Sequence, residues 1–163
     1  MHRKKPIAYV ICGFIGSGKT TFAKKLEKKT GAVRITKDEW SICLIGNDPT
    51  IDGYAEWDTK IIGLSRDVAF QLAEKGMDVI IDEGFWEKEQ RVKMKRRIEA
   101  IGAKEVLYYL DTPIETIRER VVGRNVNLTK ESFKISREMF DSYLKYWQPP
   151  SEDEDYLLAS EVK

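Results

Sequence analysis

The apolar positions of this chain follow two periods, one short and one helical. Pro6-Ile7-Ala8-Tyr9-Val10-Ile11-Cys12 is an uncharged apolar run of strand length. Beyond a glycine-rich stretch, Phe22, Ala23 and Leu26 recur at helical spacing, and Thr30-Gly31 closes that helix. Ala32 to Thr36 predicts a second short strand, and Gly46-Asn47-Asp48-Pro49 a turn. Tyr54, Trp57, Ile61, Leu64, Val68 and Leu72 predict a long helix over 54–75. Val79-Ile80-Ile81 is a third strand that runs into Asp82-Glu83-Gly84. Val92, Met94, Ile98 and Ile101 predict a helix over 86–101, and Val106 to Leu110 a fourth strand. Asp111-Thr112-Pro113 opens the next helix, with Thr112 as N-cap and Pro113 at the first position. Ile114, Ile117 and Val121 share one of its faces. Thr129 caps a last helix carrying Phe133, Phe140, Tyr143, Leu144 and Trp147 on one side. A proline-led acidic connector, Pro149 to Asp155, leads to a short edge strand at Tyr156 to Ala159. With helices separating strands throughout, the fold class is α/β with a parallel sheet.

Composition narrows the function classes. The 163 residues are most simply one domain, with 42% hydrophobic and 34% charged residues as in soluble globular proteins. A net charge of +1 provides no global field toward nucleic acid or membrane. His2 is the sole histidine, which excludes a histidine-based metal site and a Ser/His triad. Cys12 and Cys43 make no disulfide framework, and Cys12 reads as a small buried apolar residue. No apolar run reaches membrane-spanning length, and the one after Met1-His2-Arg3-Lys4-Lys5 is too short for a signal peptide. The expected localisation is cytoplasmic.

The chemistry concentrates in Gly13-Phe14-Ile15-Gly16-Ser17-Gly18-Lys19-Thr20, which matches G-x-x-x-x-G-K-[ST], the phosphate-binding P-loop. Glycines let successive backbone N–H groups turn inward on an anion. Lys19 brings a point charge to the β- and γ-phosphates, and Thr20 offers a hydroxyl to Mg²⁺. A helix starting at Gly18 aims its positive dipole end, including Thr21, at the same phosphates. The strand before the loop and the helix after it supply the context the motif requires. The nucleotide-binding residues expected are therefore Gly13, Ile15, Gly16, Ser17, Gly18, Lys19, Thr20 and Thr21.

Other candidates gain meaning from this loop. Asp38 follows the second strand, and in an open parallel sheet the carboxyl ends of strands line the binding crevice. It reads as a general base or as a cap before Trp40. Asp82 ends an apolar strand in the Walker-B pattern and is a metal candidate with Thr20, while Glu83 is a lesser one. Arg118, Arg120 and Arg124 follow the fourth strand, with Arg120 and Arg124 four apart. Trp40 and Trp57 could line an acceptor pocket, although core or hinge packing suits Trp57 equally. Lys88, Arg91, Lys93, Lys95, Arg96 and Arg97 make the 86–101 helix basic, but Glu87, Glu89 and Glu99 dilute it toward an ordinary solvated face.

On these residues the chain resembles the P-loop kinases of the small-molecule and polynucleotide kinase type. That group includes chloramphenicol phosphotransferase-like and zeta toxin-like proteins. The resemblance covers nearly the whole chain and implies a three-layer P-loop fold like that of nucleoside monophosphate kinases. It implies a five-stranded parallel sheet of order 2-3-1-4-5 and a small lid at about 118–130. It further implies ATP and Mg²⁺ as cofactors, Asp38 as the base, and arginines over the phosphates. Catalytic residues would then be Lys19, Asp38, Arg120 and Arg124, with Arg118 and Arg124 on the nucleotide. In polynucleotide kinase-like members an arginine often stands three residues after the aspartate, where this chain has Ser41. The departure argues against a phosphorylated acceptor and leaves room for an uncharged alcohol. The expected activity is ATP-dependent phosphorylation of a small-molecule hydroxyl. A nucleic-acid 5′-hydroxyl kinase and a nucleotide-dependent switch without phosphotransfer are the alternatives. The expected acceptor loops are 40–60 and 84–92.

Overall fold

The computed structural model describes residues 5–124 and 132–162. Strand β1 (Ile7–Cys12) is followed by helix α1 (Lys19–Thr30), β2 (Val33–Thr36), α2 (Lys37–Leu44) and α3 (Tyr54–Glu74). Then come β3 (Val79–Gly84), α4 (Lys88–Ala100), β4 (Lys104–Tyr109), α5 (Ile114–Arg124), α6 (Arg137–Leu144) and β5 (Tyr156–Leu158). A single 3₁₀ turn, Ala159–Glu161, follows. The strands form one sheet in the order β2-β3-β1-β4-β5, with every neighbouring pair parallel. This is the order that the resemblance implies.

The apolar runs become central strands because helices cover both faces of the sheet. Val10, Cys12, Val79 and Ile81 turn to one face and pack with Phe70 and Ala73 of α3 and Met94 and Ile98 of α4. Ile11 and Ile80 turn to the other, against Ala23 and Leu26 of α1. The Cys12 thiol belongs to the first cluster and donates to the Phe85 carbonyl at 3.4 Å; burial pushes its pKa up to about 12, as suits an inert core residue. A third cluster, Phe14, Ile117, Val121, Ile135 and Phe140, sits where the glycine-rich loop meets α5 and α6.

Several local expectations change. The strand-like run to Thr36 is followed at once by α2, so Asp38 lies in a first helical turn, with Thr36 at the cap position and making no side-chain cap. The 86–101 helix starts two residues late, at Lys88. Thr112 caps nothing: α5 opens at Ile114 with the Pro113 carbonyl accepting from Ile117 N–H, and the Thr112 hydroxyl donates to the Ser17 carbonyl at 3.1 Å. Thr129 lies outside the described residues, and α6 is capped by Ser136, whose hydroxyl accepts from Met139 N–H. Phe133 therefore precedes that helix.

The basic α4 is not simply a solvated face. Arg91 is buried, with its side chain 2% exposed and that of its partner Glu154 8% exposed. Two of its guanidinium nitrogens reach the two Glu154 oxygens at 2.6 and 2.8 Å. A third donates to the carbonyls of Phe85, Trp86 and Gln148 at 2.9, 3.2 and 2.9 Å. One side chain thus ties the end of β3 to the Pro149-Pro150 connector. Removing one member of a buried pair strands the other, which costs about 3–5 kcal/mol. Arg91→Met is expected to lower stability by about that amount, with Arg91→Lys little better because an ammonium cannot reproduce the planar fork. Urea denaturation checks this; a change under about 1 kcal/mol contradicts it.

Candidate active site

Three strand ends meet at one edge of the sheet. Register sets Thr36 of β2 and Ile11 of β1 opposite Asp82 of β3, so the chain leaving each strand enters a common crevice. β1 leaves through the glycine loop, whose Gly13 N–H donates to the Gly84 carbonyl at 3.0 Å. Two of its glycines are obligatory for shape. Gly16 has φ +78°, and a Cβ there would lie 2.6 Å from a Val121 methyl. Gly18 has φ +97°, serves as the α1 cap, and has no atom near the missing Cβ. The first glycine lets α5 press on the loop; the second leaves the start of α1 open to a ligand.

A cavity of about 340 Å³ lies over this helix start. Ile15, Gly16, Gly18, Lys19, Thr20 and Thr21 line it, as does Asp38. Gly13 and Ser17 lie beneath, and the Ser17 hydroxyl is buried without a hydrogen-bond partner. A second cavity of about 240 Å³ adjoins the first: Ile15, Lys19, Asp38, Phe133 and Ile135 line both. Asp38 and Lys19 thus stand where the two spaces meet.

The charges at this junction are only partly compensated. Lys19 donates to the Phe14 carbonyl at 3.0 Å. Burial holds its pKa below the usual lysine value, opposed chiefly by the charges of Asp38 and Asp82. Asp82 is 3% exposed, and burial raises its pKa despite nearby Lys19 and hydrogen bonds from Thr20 and Thr36. The Thr36 hydroxyl donates to it at 3.1 Å. Asp38, 40% exposed, pairs with Lys37 at 2.8 Å. A buried carboxylate beside a threonine hydroxyl at a nucleotide-sized cleft suits a magnesium ion, which uses one or two carboxylates and completes its shell with phosphate and water. Among the described residues no group of three or more acidic, histidine or cysteine ligands forms a self-sufficient metal cage, and Mg²⁺ does not need one.

The other sequence candidates are placed as follows. Arg118 lines neither cavity; it pairs with Asp141 of α6 at 2.5 Å and lies over the Phe140 ring. Arg120 is exposed and lines neither. Arg124 is the last residue of α5, and its side chain, with the 125–130 part of the expected lid, lies outside the described residues. Glu83 is paired bidentately with Arg66 and borders the second cavity. Trp40 packs against the core and Trp57 is 56% exposed under Lys60, so neither lines a cavity. The second cavity is lined instead by Pro49, Tyr54 and Asp58, by Glu83 and Trp86, and by Phe133, Ile135 and Tyr143. Asp58 was hidden in the long helix, although a carboxylate one turn after Tyr54 and three residues before Ile61 interrupts an otherwise apolar stripe.

A family model described as an AAA domain matches residues 9–150. The chain belongs to this AAA domain family. No curated protein matches it. Solved structures share the fold of this AAA domain at low identity. A Chloroflexus aurantiacus protein, provisionally called a kinase, is 15% identical with TM-score 0.71, over 95% of this chain and 84% of that one. A chain of the Pnkp1/Rnl/Hen1 RNA repair complex is 21% identical with TM-score 0.70, over 86% of this chain and 43% of that one. A sugar kinase from Janibacter sp. is 21% identical with TM-score 0.60, over 95% and 84%. The architecture is that of a P-loop kinase. Among the described residues no helix is long and apolar enough to cross a membrane.

The buried Asp82 has a consequence for stability. A carboxyl whose folded pKa is raised favours the folded state while protonated, and that contribution is lost as pH rises through the folded pKa. Asp82→Asn is therefore expected to raise the Tm of the nucleotide-free protein, with a larger gain at pH 8 than at pH 4. Thermal melts at the two pH values check this; a variant less stable than wild type at pH 8 contradicts it.

Proposed function

We propose that the protein is an ATP-dependent kinase that phosphorylates a hydroxyl of a small molecule, within a single domain spanning 1–163. The observation that carries this reading is Asp38 at the junction of the two cavities, across from Lys19. A nucleotide switch has no use for a carboxylate there.

In this reading Gly13, Ile15, Gly16, Ser17, Gly18, Thr20 and Thr21 bind the triphosphate, with Lys19 on its β- and γ-phosphates. Thr20 and Asp82 are the residues that would hold Mg²⁺, which when bound offsets charge on the phosphate oxygens. Asp38 accepts the proton of the acceptor hydroxyl as its oxygen forms a bond to the γ-phosphorus. The bond to the β-phosphate oxygen breaks, and ADP leaves. Arg124, at the end of α5, is the first candidate for the arginine over the γ-phosphate. Arg120 is the second candidate, and Arg118, bound to Asp141, contributes only by leaving α6. The site needs no exported or membrane setting, and cytoplasmic ATP suits it.

The nucleic-acid alternative loses its footing on α4. Arg91 is buried against Glu154, Lys88 pairs with Asp153, Lys93 with Glu89 and Arg97 with Asp67. That leaves Lys95 and Arg96, diluted by Glu87 and Glu99, which is a thin basis for a polyanion track.

Labelled ATP tests the assignment. Lys19→Ala is expected to abolish ATP-dependent phosphate transfer while leaving the melting curve cooperative. Asp38→Asn should lower kcat by about 10²–10⁴-fold, the usual contribution of a positioned base, with ATP affinity nearly unchanged. Arg124→Ala should lower kcat more than ATP affinity. Full nucleotide-dependent activity in Asp38→Asn contradicts the kinase mechanism.

A further inference from the structure

The second cavity has a composition that selects among acceptors. Its apolar wall combines Tyr54, Trp86, Phe133 and Tyr143 with Ile15, Pro49 and Ile135. Its polar wall is a closed set of ion pairs. Asp58 accepts from the Ser41 hydroxyl at 2.6 Å and from Lys37 at 3.1 and 3.3 Å. Lys37 also pairs with Asp38 at 2.8 Å. Glu83 is held by Arg66 through two parallel bonds. The buried Ser41 fixes the Asp58 carboxylate.

Charge bookkeeping follows. Of the two lysines that line the cavity, Lys37 is shared between two aspartates and Lys19 belongs to the donor phosphates in the kinase reading. Among the described residues, no cation of this wall is left for an acceptor phosphate or carboxylate. Asp58 and Glu83 each have a cation already, so an ammonium would gain no uncompensated partner. A charged acceptor would lose its hydration without a counter-charge, whereas hydroxyls need only hydrogen bonds. Acceptors for them are available: the second Asp58 oxygen and the Glu83 carboxylate have spare lone pairs. Aromatic faces cover the apolar C–H surface of a ring, and about 240 Å³ is below the ~300–1,000 Å³ typical of drug-sized ligands.

Resting on the kinase reading, we propose that the acceptor is a single uncharged polyhydroxylated ring, of the monosaccharide or cyclitol class, and that Asp58 is its specificity residue. The ring lies against Trp86 and Tyr143, its hydroxyls donate to Asp58 and Glu83, and the hydroxyl nearest Lys19 faces Asp38.

The test uses the full chain with labelled ATP and Mg²⁺. The acceptors are D-glucose, D-ribose and myo-inositol, the anions D-gluconate and glucose 6-phosphate, the cation D-glucosamine, and an oligonucleotide with a 5′-hydroxyl. Transfer is expected to at least one neutral ring, with kcat/KM at least about 100-fold above that for any charged compound, a floor below the ~10⁴–10⁵ that unpaired buried polar groups can impose. Preference for a charged compound overturns the acceptor class while leaving the kinase reading standing. Transfer to no neutral ring also overturns it, and Asp38-dependent ATP hydrolysis in the same samples shows whether the kinase reading falls with it. Asp58→Asn keeps the shape of the wall and the Ser41 contact but frees charge on Lys37. It is expected to raise KM for the neutral ring about tenfold and to narrow the discrimination against gluconate by about as much. A purely structural Asp58 would lower activity on every acceptor alike, and that result contradicts its role.

Discussion

The structure depends on one electrostatic arrangement: a lysine ammonium and two carboxylates gathered, partly out of water, at the ends of three adjacent parallel strands. Lys19, Asp38 and Asp82 come from segments that β1, β2 and β3 deliver to the same edge. None is fully compensated. Burial lowers the lysine pKa and raises that of Asp82, so the nucleotide-free protein holds these groups against their preference. In the proposed kinase, a polyphosphate with its metal would relieve both tensions, the anion beside Lys19 and the cation beside Asp82. That reading couples ligand binding to stability at this edge.

Around that centre the remaining charges are closed off in pairs. Arg91 and Glu154 lock the connector beneath Trp86, Arg66 and Glu83 fix the rim of β3, and Lys37 bridges Asp38 and Asp58. The pairs act as fixed dipoles and hold the aromatic wall in place. Phe85, buried at φ 48°, shows how tightly this turn is held: a non-glycine residue keeps a left-handed conformation between Gly84 and Trp86.

The loop and its flanking elements were legible because their chemistry is local. Successive glycines, a lysine and a threonine fix backbone shape and charge within a few residues. The strand leading to Asp82 was legible because central parallel strands are apolar runs. Partner choice across the sheet was not. A basic helix does not say which arginine is buried, and Arg91 finds Glu154 across 63 residues. Asp58 reaches Lys37 and Ser41 only once α2 and α3 pack together, so it passed as a polar residue on a long helix. The Thr112 hydroxyl looked like a cap and instead donates to the Ser17 carbonyl, a partner 95 residues away that no local pattern announces. Tryptophans drew attention by size, yet the cavity took Trp86 and left Trp40 and Trp57 elsewhere.

The central claim is that the donor and acceptor spaces meet between Lys19 and Asp38. A crystal structure with Mg²⁺ and a non-hydrolysable ATP analogue tests it most directly. The γ-phosphate is expected at that junction, contacted by Lys19 and facing the second cavity past Asp38, with the metal near Thr20 and Asp82. A terminal phosphate directed away from Asp38, or a nucleotide whose triphosphate lies off the glycine loop, would contradict it.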